Sequence, residues 1–386
     1  MTANGWQAIP LGKVLKQVSR DETVNPTQEY RLLGARWYAK GLFIKDVKDG
    51  SAIRASRLYR VEKGDFVYNR LFAWKGSFAI ATQDDHGCHV SNEFPCFQIQ
   101  DTILNPDFLR YYMSSSATWD NAFELSSGGT PVSRNRLKAA QLLSMPIPLP
   151  DRVEQDRIVA KLDSLSVRID EARECHRQIE QEAMVMLRSA FSRVVAGATM
   201  QKMDKVAPLV RRPTKIRVGE EYPELGIRSF GKGTFHKPAL DFAGVGNKRL
   251  FGIEPGDLLF SNVFAWEGGI AVAQPGDGGR FGSHRFITCA SREGVATSEF
   301  LCFYFLTEEG LRKIGAASPG GAGRNRTLGL RKLAEIEVPI PDYGKQIWFN
   351  RLQAEVREVL ALQQEAAVEL DAMLPSVVDR ALNGEL

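Results

Sequence analysis

The stretch EKGDFVYNRLFAWKGSFAIA (Glu62–Ala81) recurs later in the chain as EPGDLLFSNVFAWEGGIAVA (Glu254–Ala273). Both copies contain Glu-x-Gly-Asp, Phe-Ala-Trp, a glycine two residues after the tryptophan and two closing alanines at matching places. Gly64 and Gly256 lie 192 residues apart. So long a repeated motif indicates an internal duplication, which has to be identified before any local motif is interpreted.

The same offset holds well beyond the motif. The matching pairs include Tyr30/Tyr222, Gly34/Gly226, Arg36/Arg228, Lys40/Lys232, Phe108/Phe300 and Tyr112/Tyr304. Deletions then shift the frame, because RNR at Arg134–Arg136 recurs at Arg324–Arg326 and IPLPD at Ile147–Asp151 recurs as VPIPD at Val338–Asp342. The chain is therefore two copies of one unit, each nearly half of its 386 residues.

Composition places the chain among ordinary globular proteins. It has 44% hydrophobic and 25% charged residues, a net charge of +4, and no apolar run long enough to span a bilayer. The start MTANGWQAIPLGKVLKQ lacks a signal-peptide pattern, and the five cysteines include no Cys-x-x-Cys. We expect a cytoplasmic protein with reduced thiols, whose charge permits a nucleic-acid partner without requiring one.

Each half is predicted to be a mixed α/β globule followed by a long helix. Short apolar runs broken by Gly, Asp and Asn predict strands and turns, and NPDFLRYYMSS and SEFLCFYFLTEEGLRKI predict helices between them. Proline pairs at Pro148/Pro150 and Pro339/Pro341 end the globules. The expected boundaries are 1–150 and 199–341 for the globular domains, and 151–198 and 342–386 for the helices.

Both long helices carry a coiled-coil stripe. In the first helix the apolar positions alternate steps of four and three at Ile158, Leu162, Leu165, Ile169, Ala172, Ile179, Ala183, Met186 and Ala190. In the second they are Phe349, Leu352, Val356, Val359, Ala366, Leu370, Met373 and Val377. Pro375 predicts a kink or a local end in the second helix. Since a lone stripe would face water, we expect the two helices to pair antiparallel.

The predicted fold class is thus α+β: two repeated mixed α/β domains separated by two long antiparallel coiled-coil helices with pseudo-two-fold symmetry. Two similar globules at a fixed separation suit a ligand with two sites at a set distance. Double-stranded DNA is such a ligand, because the spacing of its half-sites mirrors the spacing of the modules that bind it.

The residues also resemble a known family, the specificity subunits of type I restriction–modification systems. The likeness rests on GGTPVSRNRLKAAQLLSMPIPLPDRVEQDRIVAKLD (Gly128–Asp163), on Gly64-Asp65 and Gly256-Asp257, and on the ending LPSVVDRALNGEL (Leu374–Leu386). The resemblance implies two target-recognition domains, each reading half of a split, asymmetric DNA site. It also implies helices that set the spacing and dock two adenine-N6 methyltransferase subunits.

The same resemblance implies a restriction/translocase subunit as a further partner, and no membrane. S-adenosylmethionine, ATP and Mg would then be bound by partner subunits, with no cofactor on this chain. Partner docking is predicted at Glu154, Gln155 and Gln346. The second copy departs from the first here, since DYGKQIW replaces DRVEQDRI and puts Lys345 in the place of Glu154.

DNA contacts are predicted in two loops of each copy. Gly-rich segments precede SRNRL and GRNRTL, and a flexible backbone followed by Arg-Asn-Arg suits contact with phosphates and base edges. Phe72, Trp74, Phe264 and Trp266 are interpreted as core or loop-anchoring aromatics. The predicted DNA-binding residues are Asn69, Arg70, Lys75, Ser133, Arg134, Asn135, Arg136, Asn262, Arg285, Arg324, Asn325 and Arg326. We pair Arg70 with Val263 and Lys75 with Glu267 as specificity positions, because domains that read different sequences must differ.

Enzymatic and metal functions are not predicted. HGCHVSNEFPC brings His86, Cys88, His89 and Cys96 close in sequence, but the second copy keeps only His284, whereas a structural metal should recur. No adenine methyltransferase motif and no Gly-x4-Gly-Lys-Ser/Thr phosphate loop occurs. Two alternatives stay open: a DNA-independent coiled-coil adaptor, and the recognition module of a stand-alone DNA-modifying enzyme.

Overall fold

The computed structural model describes residues 6–127, 135–320 and 326–385. The chain divides into two compact units, one formed by Met1–Arg177 with Gln363–Leu386 and the other by Gln178–Leu362. Each unit contains one globule and part of each long helix. The mixture of short strands and helices with two long helices confirms the predicted α+β class.

The first globule contains three sheets within the described residues. A five-stranded sheet has the order β3-β6-β9-β4-β5, in which β4 and β9 are parallel, and a four-stranded antiparallel sheet has the order β2-β10-β7-β8. Strand β1 pairs with β11. The strands are β1 (Gln7–Pro10), β2 (Leu15–Val18), β3 (Asp21–Thr23), β4 (Glu29–Ala35), β5 (Leu42–Asp49), β6 (Arg57–Arg60), β7 (Phe66–Tyr68), β8 (Phe78–Ile80), β9 (His89–Val90), β10 (Cys96–Ile99) and β11 (Pro146–Leu149).

Three short helices cover this globule: α1 (Pro106–Ser114), α2 (Ser116–Leu125) and α3 (Ala139–Ser144). Asn105 begins α1 as its N-cap, since its side chain accepts hydrogen bonds from the backbone of Asp107 and Phe108. Proline follows the cap, where a missing N–H costs nothing. The helix buries Phe108 against Phe66 and other aromatics of the four-stranded sheet.

The Glu-x-Gly-Asp motif is a structural device. Gly64 has a φ of +85°, which favours glycine, and it turns the chain into β7. The buried Asp65 carboxylate then accepts the backbone N–H of Glu62 at 2.9 Å and both Arg20 guanidinium nitrogens, at 2.6 and 3.2 Å. The aspartate therefore joins the turn to Arg20, which lies in the link between β2 and β3.

The second globule repeats this plan. Its sheets have the orders β13-β20-β17-β18 and β15-β14-β19-β16, and β12 pairs with β21. Strands β14 and β19 are parallel, as β4 and β9 are in the first globule. The strands are β12 (Thr199–Lys202), β13 (Leu209–Val210), β14 (Tyr222–Ile227), β15 (Thr234–Leu240), β16 (Leu250–Gly252), β17 (Leu258–Ser261), β18 (Ile270–Val272), β19 (Phe281–Ser283), β20 (Phe286–Cys289) and β21 (Glu337–Ile340).

The buried ion pair recurs with nearly the same geometry. Asp257 accepts Glu254 N–H at 2.9 Å and the Arg212 guanidinium at 2.7 and 3.1 Å. Gly256 has a φ of +87°. The short helices here are α5 (Met203–Val206), α6 (Phe242–Val245), α7 (Ser298–Phe305), α8 (Glu308–Ala317) and α9 (Leu330–Ala334). The repeated motif thus encodes the same turn and ion pair twice.

The long helices are α4 (Arg152–Val195) and α10 (Tyr343–Leu382). Within the first unit they run antiparallel: Arg173 bonds Asp371 at 2.6 Å, and Ile158 and Leu162 share a cluster with Ala381. Helix α10 continues past Pro375, so the alternative that the helix ends there is wrong.

Within the second unit the helices are also antiparallel. The Phe191 ring lies 5.4 Å from that of Phe349, and Ala183 and Leu187 belong to the same cluster as Val356. The predicted antiparallel pairing is therefore present in each unit.

The seam differs from the predicted stripe near the C-terminal end of α4 and from Val359 onward in α10. Met186, Val359 and Met373 are 46%, 51% and 45% exposed, while the neighbouring Leu187 is buried. Leu360 and Leu374 are partly buried in place of Val359 and Met373. A straight helix drifts relative to a strict seven-residue repeat, so the buried face moves by one residue.

Candidate nucleic-acid interface

Each globule carries a short 3₁₀ turn inside the repeated motif, at Ala73–Lys75 and at Ala265–Glu267. Trp74 Nε1 donates to Leu71 O at 3.1 Å, and Trp266 Nε1 donates to Val263 O at 3.0 Å. The tryptophans therefore pin the preceding loop, in agreement with their interpretation as anchors. Phe264 differs, because it is 39% exposed.

Backbone hydrogen bonds bring three distant segments of the first globule together around this loop. Arg70 N–H donates to Glu93 O, and Leu137 N–H donates to Arg70 O, both at 3.0 Å. The Arg136 guanidinium donates to Glu93 Oε1 at 2.8 Å. We call Arg70, Glu93 and Arg136 the first cluster.

The second globule assembles the equivalent positions in the same way. Asn262 N–H donates to Arg285 O at 2.8 Å, and Leu328 N–H donates to Asn262 O at 2.9 Å. Arg285 and Arg326 are exposed, and Arg326 Cζ lies 5.1 Å from the Trp266 ring centroid. We call Asn262, Arg285 and Arg326 the second cluster.

These hydrogen bonds correct the pairing made from the sequence. Arg70 and Asn262 accept and donate the same backbone hydrogen bonds, so the counterpart of Arg70 is Asn262 and not Val263. Glu93, the counterpart of Arg285, was missed. The offset of 192 residues applied strictly to Arg285 would have found it.

Among the residues that the structure describes, the clusters contain buried polar atoms that lack a hydrogen-bond partner. These atoms are Arg70 Nε, Glu93 Oε2 and Asn262 Oδ1. Most buried polar atoms in proteins are paired, so such exceptions require an explanation, of which an absent ligand or water is one. Both clusters therefore contain buried polar atoms whose hydrogen bonds are not made within the described residues.

Several predicted residues lie beside the clusters. Lys75 Nζ is 3.8 Å from the Trp37 ring centroid and 4.9 Å from that of Trp74, whereas Glu267 reverses the charge in the second copy. Asn69 Oδ1 accepts Leu71 N–H at 3.0 Å, which gives its carbonyl a turn-forming role. Asn135 is half-buried next to Arg136.

The remaining predicted DNA contacts, Ser133, Arg134, Arg324 and Asn325, lie outside the described residues. They immediately precede Asn135 and Arg326, which are described.

A cavity of about 320 Å³ adjoins the first cluster. Its lining includes Arg20, Arg60, Arg70, Asn92 and Cys96. Burial raises the pKa of the Cys96 thiol to about 12, so this cysteine is protonated at neutral pH and is a poor nucleophile. The cavity is basic without containing an activated thiol.

The two histidines of the HGCHVSNEFPC segment contact other side-chain and backbone groups. His89 Nε2 lies 2.9 Å from Glu22 Oε2, and His86 Nδ1 accepts Lys63 N–H at 3.3 Å. Across the described ranges, no group of three His, Cys, Asp or Glu side chains could hold a metal ion. None of the helices described is long and apolar enough to cross a membrane.

The structure does not support Gln155 and Gln346 as docking residues, because both are fully buried within this chain. Gln155 accepts Asn105 N–H at 2.7 Å and donates to Ile103 O and Pro150 O. Gln346 makes the matching three bonds, to Thr297 N–H, Val295 O and Pro341 O. These amides join each long helix to its own globule and offer no surface to a partner.

Glu154 is partly exposed and pairs with Arg157 through two 2.6 Å hydrogen bonds, which lower the pKa of its carboxyl group. It stays a predicted docking residue.

Replacing Gln155 with leucine is expected to destabilise the first unit by about 2 kcal/mol or more, because one buried N–H and two carbonyls lose their partner. The same change at the exposed Gln98 is the control, and we expect an effect within about 0.5 kcal/mol. Chemical denaturation of both variants measures the difference. Equal midpoints would show that the helix junction does not depend on the amide.

No family model matches the chain. It is 23% identical over 192 residues to the type I restriction enzyme HindI specificity subunit of Haemophilus influenzae, a match that covers 48% of this chain and 40% of that relative. The matched region thus spans less than half the length of the curated relative.

Among solved structures, a chain from a type I R-M system, solved to explain complex assembly and conformational transition, superposes over 100% of both chains with a TM-score of 0.74 and 18% identity. The HsdS subunit from Thermoanaerobacter tengcongensis matches over 100% of this chain and 98% of its own, with a TM-score of 0.60 and 17% identity. The chain has the fold of a type I specificity subunit.

This fold agrees with the resemblance drawn from the sequence. The Haemophilus influenzae relative is named as a specificity subunit, and the Thermoanaerobacter tengcongensis neighbour is named as an HsdS subunit. The two clusters lie at equivalent places in the two globules of this fold and carry different side chains.

Proposed function

We propose that this chain is the sequence-specific DNA-recognition subunit of a type I restriction–modification complex, and that each globule reads one half of a bipartite, asymmetric target. One observation carries the proposal: the same backbone hydrogen bonds in both globules present Arg70, Glu93 and Arg136 in one and Asn262, Arg285 and Arg326 in the other. A shared backbone arrangement that carries different polar side chains suits two related domains that bind different DNA sequences.

The side chains in the clusters match the chemistry of base edges. Arginine can bind guanine O6 and N7 with two hydrogen bonds, asparagine can bind adenine N6 and N7, and glutamate accepts from cytosine N4. The first cluster offers two arginines and a glutamate, and the second offers two arginines and an asparagine. The two globules therefore favour different base patterns.

The long helices have two proposed roles. They set the distance between the half-sites, and they dock two adenine-N6 methyltransferase subunits, with Glu154 among the contacts on the first helix. A restriction/translocase subunit completes the complex. S-adenosylmethionine, ATP and Mg belong to those partners in this proposal, and this chain contributes recognition alone.

The direct test is to express the full chain with its methyltransferase partner and to map methylated adenines by sequencing. We expect methylation at one asymmetric, interrupted site. Affinity for that DNA should fall steeply with salt, since phosphate contacts release counterions. A complex that assembles but leaves no sequence-specific methylation would favour the adaptor function, and methylation by the isolated chain would favour a stand-alone enzyme.

The spacing role leads to a prediction about length. Inserting one heptad into each of α4 and α10 keeps the seam in phase and adds about 10 Å at roughly 1.5 Å per residue. We expect the non-specific gap in the target to lengthen by about three base pairs at roughly 3.4 Å each, with both half-sites unchanged. Methylation mapping measures the gap. An unchanged gap in an active variant would mean that the helices do not set the distance.

A further inference from the structure

The hairpin between β4 and β5 ends in an aromatic tip, and so does its counterpart between β14 and β15. The first tip reads RWYAKG (Arg36–Gly41), and the second reads RSFGKG (Arg228–Gly233). Tyr38 and Phe230 occupy the same position, 192 residues apart. Both hairpins thus place an aromatic residue at this position between an arginine and a lysine, and the first tip also contains Trp37.

The backbone at both aromatics is strained. Within the described residues, the non-glycine positions with positive φ are Tyr38 at 61°, Ala39 at 52° and Phe230 at 61°. An aromatic residue rarely adopts this left-handed conformation, which is unfavourable by roughly 1–3 kcal/mol and persists only where its surroundings impose it.

The repeated motif imposes the strain. Tyr38 N–H donates to Lys75 O at 2.8 Å, and Ala39 N–H donates to Gly76 O at 2.6 Å. Phe230 N–H donates to Glu267 O at 2.8 Å. Each tip is therefore fixed to the 3₁₀ turn that lies beside the corresponding cluster.

Arginine braces each hairpin from within. Arg36 donates to Leu42 O at 2.5 Å and lies 4.9 Å from the Phe43 ring centroid. Arg228 repeats the carbonyl contact at 2.5 Å and lies 4.9 Å from the ring of its own hairpin phenylalanine. The tips are thus built in the same way in both copies.

The two aromatic side chains are not needed to fill the core, because both are largely exposed. Tyr38 is 53% exposed, although its ring lies 5.5 Å from that of Trp119, and Phe230 is 76% exposed. Exposed Lys40 and Lys232 follow them, and neither six-residue tip contains an acidic residue. A rigid, exposed aromatic beside a lysine suits an anionic partner with flat apolar faces, as the stacked bases of DNA are.

We propose that Tyr38 and Phe230 are apolar wedges, each of which contacts a base step at its own half-site. This inference rests on the proposed function and adds a contact to it: the clusters read base edges, and the tips press on base faces or partly insert between them. The strained backbone holds the wedge in place before DNA binds, so less freedom is lost on binding.

The variant Phe230→Asn tests the proposal in the full complex with its methyltransferase partner. Asparagine tolerates the left-handed conformation but lacks the ring. We expect the Kd for the mapped target to rise roughly 5- to 150-fold, the range that corresponds to loss of one aromatic–base stack. Phe242→Asn, at another aromatic that is 51% exposed in the same globule, is the matched control and should leave the Kd unchanged.

Fluorescence locates the contact. With 2-aminopurine placed in turn at each position of the second half-site, the wild-type complex should raise emission at one step, and Phe230→Asn should abolish that rise. Tyr38→Asn should instead act on the first half-site, while Tyr38→Phe should behave as wild type.

Two results would overturn the wedge. One is wild-type affinity and emission in Phe230→Asn. The other is loss of the methyltransferase subunit from that variant in native mass spectrometry, which would make the tip a protein contact. Wild-type mapping tests the proposed function separately, because it depends on neither variant.

Discussion

The double exchange R70N/E93R in the first globule is expected to change the first half of the methylated site and to leave the second half intact. Both clusters already have arginine at the third position, so these two substitutions give the first cluster the side chains of the second. Each good bidentate base contact contributes about 1–3 kcal/mol of discrimination. Affinity for the parental site should therefore fall by roughly 30-fold or more when two such contacts are lost.

The reciprocal exchange N262R/R285E should alter only the second half. Arg292→Glu, a charge reversal at an exposed residue of the second globule, is the control and should keep the methylated sequence. Methylation mapping distinguishes the outcomes. A change in both halves at once, or in neither, would contradict independent reading by the two clusters.

Asp65→Asn is expected to destabilise the first unit by about 3–5 kcal/mol, the usual cost of removing one partner of a buried ion pair. The side chain of Asp65 is 4% exposed, and its two oxygens satisfy Arg20 and the Glu62 N–H. An asparagine amide would turn a donor toward one of these donors. Native-state hydrogen exchange of the β7 amides and chemical denaturation both measure the loss.

Asp46→Asn provides the matched control. Asp46 pairs with Lys48 at 2.8 Å, and the two side chains are 42% and 44% exposed, so solvent screens the pair and the substitution should leave the stability nearly unchanged. If the two variants were equally stable, the Asp65–Arg20 ion pair of the repeated motif would not stabilise the first unit. Asp257→Asn should reproduce the larger loss in the second unit.

The sequence predicted those parts of the fold that depend on local patterns or on the repeat. The duplication, the helix start at Pro106 and the antiparallel helices were all found in this way. The seam was displaced at Val359 because a helix turns by 3.6 residues and not by 3.5.

Long-range contacts could not be predicted in the same way. Glu93 joins its cluster through hydrogen bonds to Arg70 and Arg136, which lie far from it in the chain. Gln155 lies in the polar first turn of α4, where a glutamine is usually exposed. It is buried because the globule packs over it, and the local sequence does not indicate that contact. The base contacts themselves stay predictions.

The division of the chain has a consequence for its synthesis. Residues 178–362 form one unbroken unit, whereas the first unit needs residues 363–386 to complete it. The Ser115 hydroxyl donates a hydrogen bond to Asp379, which lies 264 residues later in the chain. At a synthesis rate of roughly 5–20 residues per second, Asp379 is made about 10–50 s after Ser115. During that interval the apolar side chains that pack on Val378 and Ala381 in the complete protein lack these partners. The unit whose synthesis begins first is thus the last to be completed.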